Sequence, residues 1–285
     1  MQVRRGRIDE VEDLSSLDLI RFNNSINPWN NQYITGGFRP GARHFRSTLE
    51  KWGFTGHATV VDIGAGYGRW AVFLAEVNER VLGFERNGAA VELARKLADF
   101  FALPNVTFET ALVSDIPAED NIADAAWCFN GLHLFPRAAT LAEARRLLKP
   151  GGRLFLGAYN GLGTILEKFV EGYERGGLDD HVTRFALQAM KDSGKPEAAS
   201  WTYADADRIG DILEHFSFEL ADGTAIELQH SAQRSTASRF ADDLADVPSL
   251  AERLASDKPF REDFIQDPEV ARTHPINLNI LAIRR

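Results

Sequence analysis

Asp62, Gly64, Gly66 and Gly68 stand at alternate positions, and Glu85 follows 17 residues after the last glycine. Residues of these types at this spacing could grip a ligand in three ways. Glycine lets the backbone take positive φ and lets a ligand lie against bare main chain. A helix starting just after the glycines presents unpaired N–H groups at its first turn. A carboxylate at the end of a strand can accept hydrogen bonds from both hydroxyls of a ribose. The surrounding pattern supplies the elements such a site needs. Thr59-Val60-Val61-Asp62-Ile63 is a short apolar, β-branched run, and Ala71, Val72, Leu74 and Ala75 follow at helical spacing. The glycines are therefore the turn between a buried strand and a helix.

Two common phosphate-binding loops do not fit. The dinucleotide fingerprint G-x-G-x-x-G needs a third glycine at 69 if counted from Gly64, or at 71 if counted from Gly66. Those positions hold Arg69 and Ala71. A P-loop needs a Lys followed by Ser or Thr after its last glycine, and none follows Gly68.

The stretch resembles motif I of the class I S-adenosylmethionine (SAM)-dependent methyltransferases, D/E-x-G-x-G-x-G, with every fixed position filled. Glu85 stands where that family has its motif II acid, and Leu148-Lys149-Pro150-Gly151-Gly152-Arg153 ahead of a strand is a further resemblance. The resemblance implies an α/β fold: a doubly wound, mostly parallel seven-stranded sheet of Rossmann-like type with helical cap insertions and an antiparallel last strand. It implies SAM as cofactor and S-adenosyl-L-homocysteine as product. Carried over by position, the cofactor contacts fall at Tyr33, Asp62, Gly64, Ala65, Gly66, Gly68, Glu85, Arg86, Leu112, Val113 and Asn130. One departure is visible. Many members carry an acid near the adenine amine, but the aligned stretch Thr110-Ala111-Leu112-Val113-Ser114-Asp115-Ile116-Pro117 places Leu112 there. Main-chain groups would then hold the adenine, with Leu112 and Val113 as apolar walls.

The acceptor half is less specific. His133 is the first candidate for a general base, because imidazole titrates near neutral pH. Tyr33 and Tyr159 could hydrogen-bond an amine or hydroxyl substrate, and the turn-rich stretch carrying Trp29 and Tyr33 is a candidate lid or a plain connector. The [D/N/S]-P-P-[Y/F] signature of amino-methylating DNA enzymes is absent after the fourth strand, where Asn130-Gly131-Leu132-His133 stands. Cys128 follows Trp127 mid-strand rather than a proline, which suits packing and not nucleophilic attack.

Stepwise along the chain, helices are expected at about 8–22, 42–52, after Gly68, 88–102, 138–148, 163–176, 178–192 and 204–215, with a helical insertion over 236–272. Strands are expected at 59–63, 80–85, 106–110, 122–129, 153–159, 216–220 and 275–283. The corresponding organisation is an N-terminal helical and lid segment (1–55), a cofactor-binding core (56–160), a helical cap (161–203) and a completion of the sheet (204–285).

Composition narrows the setting. A formal net charge of −9 argues against a general nucleic-acid or anionic-membrane binder. One cysteine and no apolar leader point to a cytoplasmic protein, no apolar run is long enough for a membrane span, and the His spacing supports no metal site. The expected activity is methyl transfer to a small-molecule acceptor at O, N or C, with a homodimer allowed. The alternatives are a protein or RNA methyltransferase, an NAD(P)-dependent oxidoreductase, and a non-catalytic SAM-fold binder.

Overall fold

The computed structural model describes residues 38, 41–129, 135–159, 161–193, 195, 208–221, 226–230, 239–267 and 276–285, with backbone alone at 158–159, 161–162, 164, 226–230, 241 and 276–278. The helix expected over 8–22 and the lid residues Trp29 and Tyr33 lie outside them. Two compact units are present, residues 1–129 with 146–154, and residues 130–145 with 155–285.

The first unit is built on strands β1 (Val60–Ile63), β2 (Val81–Glu85), β3 (Val106–Thr110), β4 (Ala123–Cys128) and the first half of β5 (Leu148–Tyr159), in the order β3-β2-β1-β4-β5. β1 pairs in parallel with β2 on one side and β4 on the other. The chain thus winds outward from β1 to β3, then returns to β1's other edge. That reversal opens a crevice at the carboxyl ends of β1 and β4, the place where open α/β sheets bind ligands. All four residues of β1 are buried, as a central parallel strand requires.

Helix α1 (Gly41–Trp52) buries Phe45, Leu49 and Trp52, one face at i, i+4, i+7 spacing. Helix α2 (Arg69–Val77) buries six successive residues, Trp70 to Ala75. A helix with so little polar surface must be covered on more than one side. The Phe45 ring stacks on Phe73 at 4.1 Å and meets Trp70 edge-on at 4.9 Å. Such ring pairs add roughly 0.5–1.5 kcal/mol each beyond area burial. Helix α3 (Gly88–Phe100) follows β2, and Asn87 caps it by accepting from the N–H groups of Ala89 and Ala90.

Helix α4 (Arg137–Leu147) leads directly into β5. The strand begins at Leu148, five residues ahead of the expected Arg153, and takes in Lys149-Pro150-Gly151-Gly152 with Gly151 at φ 77°. Lys149 is held there by Asp124 at 2.6 Å, and a Cβ on Gly152 would crowd Lys149 O at 2.8 Å.

In the second unit β8 (Ile276–Arg284) lies between the end of β5 and β6 (Phe218–Leu220), antiparallel to β6. A further strand, β7 (Ile226–His230), also pairs antiparallel with β8. β6 takes residues 282–284 of β8 and β7 takes 276–280. The strand path has the seven members expected, β3-β2-β1-β4-β5-β8-β6, with β7 added to β8.

The helices here are α5 (Gly161–Gly176), α6 (His181–Lys191), α7 (Ile209–His215), α8 (Ala241–Ala245), α9 (Val247–Ser256) and α10 (Lys258–Ile265). The helical insertion expected over 236–272 consists, among its described residues, of three short helices. Asp246 and Asp257 break it, each capping the next helix through its side chain, with a proline in the first turn. Ile165, Phe169, Met190, Leu250 and Phe264 belong to one apolar cluster that joins α5 and α6 to these helices. No described helix is long and apolar enough to cross a membrane.

Candidate functional site

The glycine turn lies in the first unit, between β1 and α2, and all three of its glycines have positive φ: 73° at Gly64, 55° at Gly66 and 79° at Gly68. Their reasons differ. Gly68 caps α2 in the left-handed region, and a Cβ there would sit 2.9 Å from both Ala94 Cβ and the Phe108 ring. It serves close packing of the helix on its neighbours. A Cβ on Gly66 would meet nothing within 4 Å. Gly66 therefore borders open space, and it is where a ligand can approach the main chain.

The turn is tied to β2. Phe84 O accepts from Gly64 N–H at 2.8 Å and from Ala65 N–H at 2.9 Å. Glu85 Oε2 accepts from Gly66 N–H at 3.2 Å, and Oε1 accepts from Asn87 N–H at 2.9 Å. The Glu85 backbone carbonyl accepts from Ala111 N–H at 3.1 Å. Each carboxylate oxygen can take further donors, so Glu85 is already oriented while keeping capacity for the hydroxyls of a ligand.

Asp62 has a different environment. It is only 2% exposed, and its Oδ2 has no hydrogen-bond partner among the described residues. Burial first, then the charge of Glu85, push its pKa up to about 8, while Arg69 pulls the other way. A neutral carboxyl results at pH 7, able to donate as well as accept. Burial first, and then Asp62 once it has ionised at higher pH, hold the Cys128 thiol well above its ordinary range. Cys128 is fully buried in β4, consistent with the packing role expected of it.

Two further residues meet at this end of the sheet and carried no signal in the sequence. Asp62 is in register with Trp127, and Phe129 follows just past the end of β4. The Arg69 guanidinium lies 5.9 Å from the Phe129 ring, and that ring packs against Trp70 at 4.7 Å. Beyond β3, Leu112 and Asp115 form a tight turn closed by Asp115 N–H on Leu112 O at 3.0 Å. Leu112 is 59% exposed and Val113 half-buried. An apolar side chain left this open is what the edge of a ring-binding site needs. Arg86 is exposed at the end of β2.

The structure thus places Asp62, Gly64, Ala65, Gly66, Gly68, Glu85 and Arg86 on the turn and the strand end beside it, with Leu112 and Val113 just after the neighbouring β3. Tyr33, Asn130 and His133 lie outside the described residues, as does the side chain of Tyr159, whose backbone closes β5 in the second unit. A cavity of about 950 Å³ in the first unit lies elsewhere, along β2 and β3 between Arg80, Leu82, Phe84, Glu109 and Ile116. Neither Asp62, Glu85 nor any glycine of the turn lines it, so its size does not make it the site.

Residues 60–152 match a family model described as a methyltransferase domain. A ubiquinone/menaquinone biosynthesis C-methyltransferase of Acidiphilium cryptum is 32% identical over 151 residues, 53% of this chain and 53% of that protein. A dimethylglycine N-methyltransferase of Parasynechococcus marenigrum is 40% identical over 97 residues, 33% of this chain and 34% of that protein. The chain thus spans about half of one relative and a third of the other. The crystal structure of the YcgJ protein of Bacillus subtilis superposes with a TM-score of 0.52 at 16% identity, covering 85% of this chain and 99% of that one. That likeness concerns the fold.

Proposed function

We propose, from the premise that this chain belongs to the class I SAM-dependent methyltransferases, that it transfers a methyl group from SAM to a small-molecule acceptor at O, N or C. The observation that carries the cofactor half is the divided glycine turn. Gly66 faces open space, and its N–H is tied to the same Glu85 carboxylate that a ribose would meet. The residues fit the cofactor's parts. Glu85 accepts from the ribose hydroxyls, Leu112 and Val113 flank the adenine, and the buried Asp62 carboxyl answers the cationic amino-acid end. Gly64, Ala65 and Gly68 hold the turn, Arg86 borders it, and Tyr33 and Asn130 complete the set. SAM bound here would supply an activated methyl on a sulfonium. The protein's task is alignment, worth on the order of 7–11 kcal/mol in well-oriented intramolecular systems.

His133, Tyr33 and Tyr159 are the groups proposed to orient or deprotonate the acceptor. A small acceptor is favoured by the net charge of −9 and by relatives named for a quinone-pathway C-methylation and a dimethylglycine N-methylation. The proposed setting is cytoplasmic, and the proposed assembly is a monomer or homodimer. The test is methyl transfer from labelled SAM to a panel of quinol, phenol and amine acceptors. Label in a small product supports the reading. Label only in protein or RNA would move the acceptor class, and SAM binding without turnover on any acceptor would favour a binding role.

A further inference from the structure

We propose that Asp62 is a neutral carboxyl before the cofactor binds and surrenders its proton to solvent as the ammonium of the cofactor's amino-acid end arrives, so that cofactor binding is coupled to proton release. The proposal rests on the cofactor reading above and deepens it.

The geometry is that of a buried carboxyl, Asp62, beside the half-buried Glu85 on the neighbouring strand. Asp62 is 2% exposed, and its Oδ2 lacks both solvent and a donor. Glu85 sits on the adjacent strand two positions past Asp62's register partner Gly83, and its own charge is held by the N–H groups of Gly66 and Asn87. Two like charges in such a place cannot both be kept without compensation, and the one with fewer donors stays protonated. Among the described residues, the charges that act on Asp62 are Glu85 from β2 and Arg69 from α2, and Asp62 in turn acts on the Cys128 thiol of β4. Arg69 opposes the effect but does not outweigh burial and Glu85. The same balance puts the titration of Asp62 at about pH 8, so the proton is present at pH 7.

A cation entering beside Gly66 reverses the balance. The Asp62 O–H bond breaks, the proton goes to water or buffer, and the bonding pair stays on oxygen. The new carboxylate and the ligand cation are then buried as a pair. The ammonium of the ligand is thereby met by a carboxylate and is not left as an uncompensated buried charge, the arrangement that costs most.

The experiment is calorimetric titration of the full chain with S-adenosyl-L-homocysteine at pH 7 in two buffers of different ionisation enthalpy, for wild type and Asp62→Asn. The expected result is release of about one proton per ligand by wild type, with affinity rising about tenfold per pH unit from pH 6 to 7.5. Asp62→Asn should bind with only the exchange due to the ligand's own amine, which is common to both proteins. If Asp62→Asn does not fold, a carboxyl ¹³C titration of aspartate-labelled wild type decides. One signal should titrate near pH 8 in the free protein and lose that shift on binding. Equal heats in both buffers for a wild type that binds would overturn the proton coupling and leave the cofactor reading intact. No binding at all would overturn both.

Discussion

The N–H of Gly66 donates to Glu85 Oε2 at 3.2 Å, joining the turn after β1 to the last residue of β2. Glu85 Oε1 meanwhile accepts from Asn87 N–H, the residue that caps α3. One side chain therefore sets the positions of the glycine turn and of the next helix. In the proposed function it does so while retaining lone pairs for two ribose hydroxyls.

Replacing Glu85 by alanine removes the proposed ribose acceptor and slackens the Gly66 tie. SAM affinity should fall by roughly 1.5–3 kcal/mol, the scale of a hydrogen bond to a charged group. Calorimetry measures it directly. An unchanged dissociation constant in a folded variant would exclude the ribose role.

Gly66 and Gly68 should respond differently to alanine. Both have positive φ, so both variants carry backbone strain of roughly 1 kcal/mol. At Gly68 the new methyl also meets Ala94 and the Phe108 ring at 2.9 Å, and overpacking typically adds about 1–3 kcal/mol. At Gly66 it meets open space. Urea unfolding should show Gly68→Ala as clearly the less stable, with SAM binding selectively weakened in Gly66→Ala. Equal losses of stability would contradict the division of roles.

The pH dependence of stability carries a defined sign at Asp62. Its folded pKa, about 8, lies above the unfolded value of 3.8, so the folded state holds a proton the unfolded chain has lost. The contribution is fully present below about pH 4 and is lost as pH rises towards 8, at up to about 1.4 kcal/mol per pH unit. Asn cannot ionise. The melting temperature of Asp62→Asn relative to wild type should therefore rise steadily between pH 5 and 8. Parallel curves for the two proteins would show that Asp62 is not neutral in the folded state.

In the second unit, α5 and α6 meet at Gly172. A Cβ there would fall 2.6 Å from both the N and the Oγ1 of Thr183, and 3.0 Å from Asp180 Oδ1. Backbone cannot move aside as a flexible side chain can. Gly172→Ala should cost roughly 1–3 kcal/mol or more in chemical denaturation. A neutral effect would mean the two helices can shift apart freely.

Much of this was legible in the sequence because it rests on short-range signals. The β-branched run before Asp62, the alternate glycines and the apolar spacing after them fix strand, turn and helix together. Glu85 was legible as a strand end. Contacts that depend on register were not. Phe129 and Arg69 gain meaning only because β4 lies against β1, and no local pattern announces that pairing. The three glycines look alike in sequence, yet only the packing around Ala94 and Phe108 separates Gly68 from Gly66.

Other differences had readable causes. The breaks at Asp246 and Asp257 follow Asp-x-Pro, a cap residue with proline in the first helical turn. β7 carries Ile226 and Leu228 in alternation, but five residues with little else apolar gain their place from pairing along β8. β5 starts early where Lys149 bonds Asp124, a partner distant in sequence, and where Gly152 packs with no room for a Cβ.

The most direct test of the central claim is thermal unfolding of the chain with SAM, S-adenosyl-L-homocysteine, NAD and NADP, each in excess. A ligand at about a hundred times its dissociation constant adds about 2.7 kcal/mol of stability, a readily measured rise in midpoint. A rise is expected with the two adenosyl-sulfur ligands and none with the nicotinamide cofactors. A rise with NAD or NADP alone would contradict that claim.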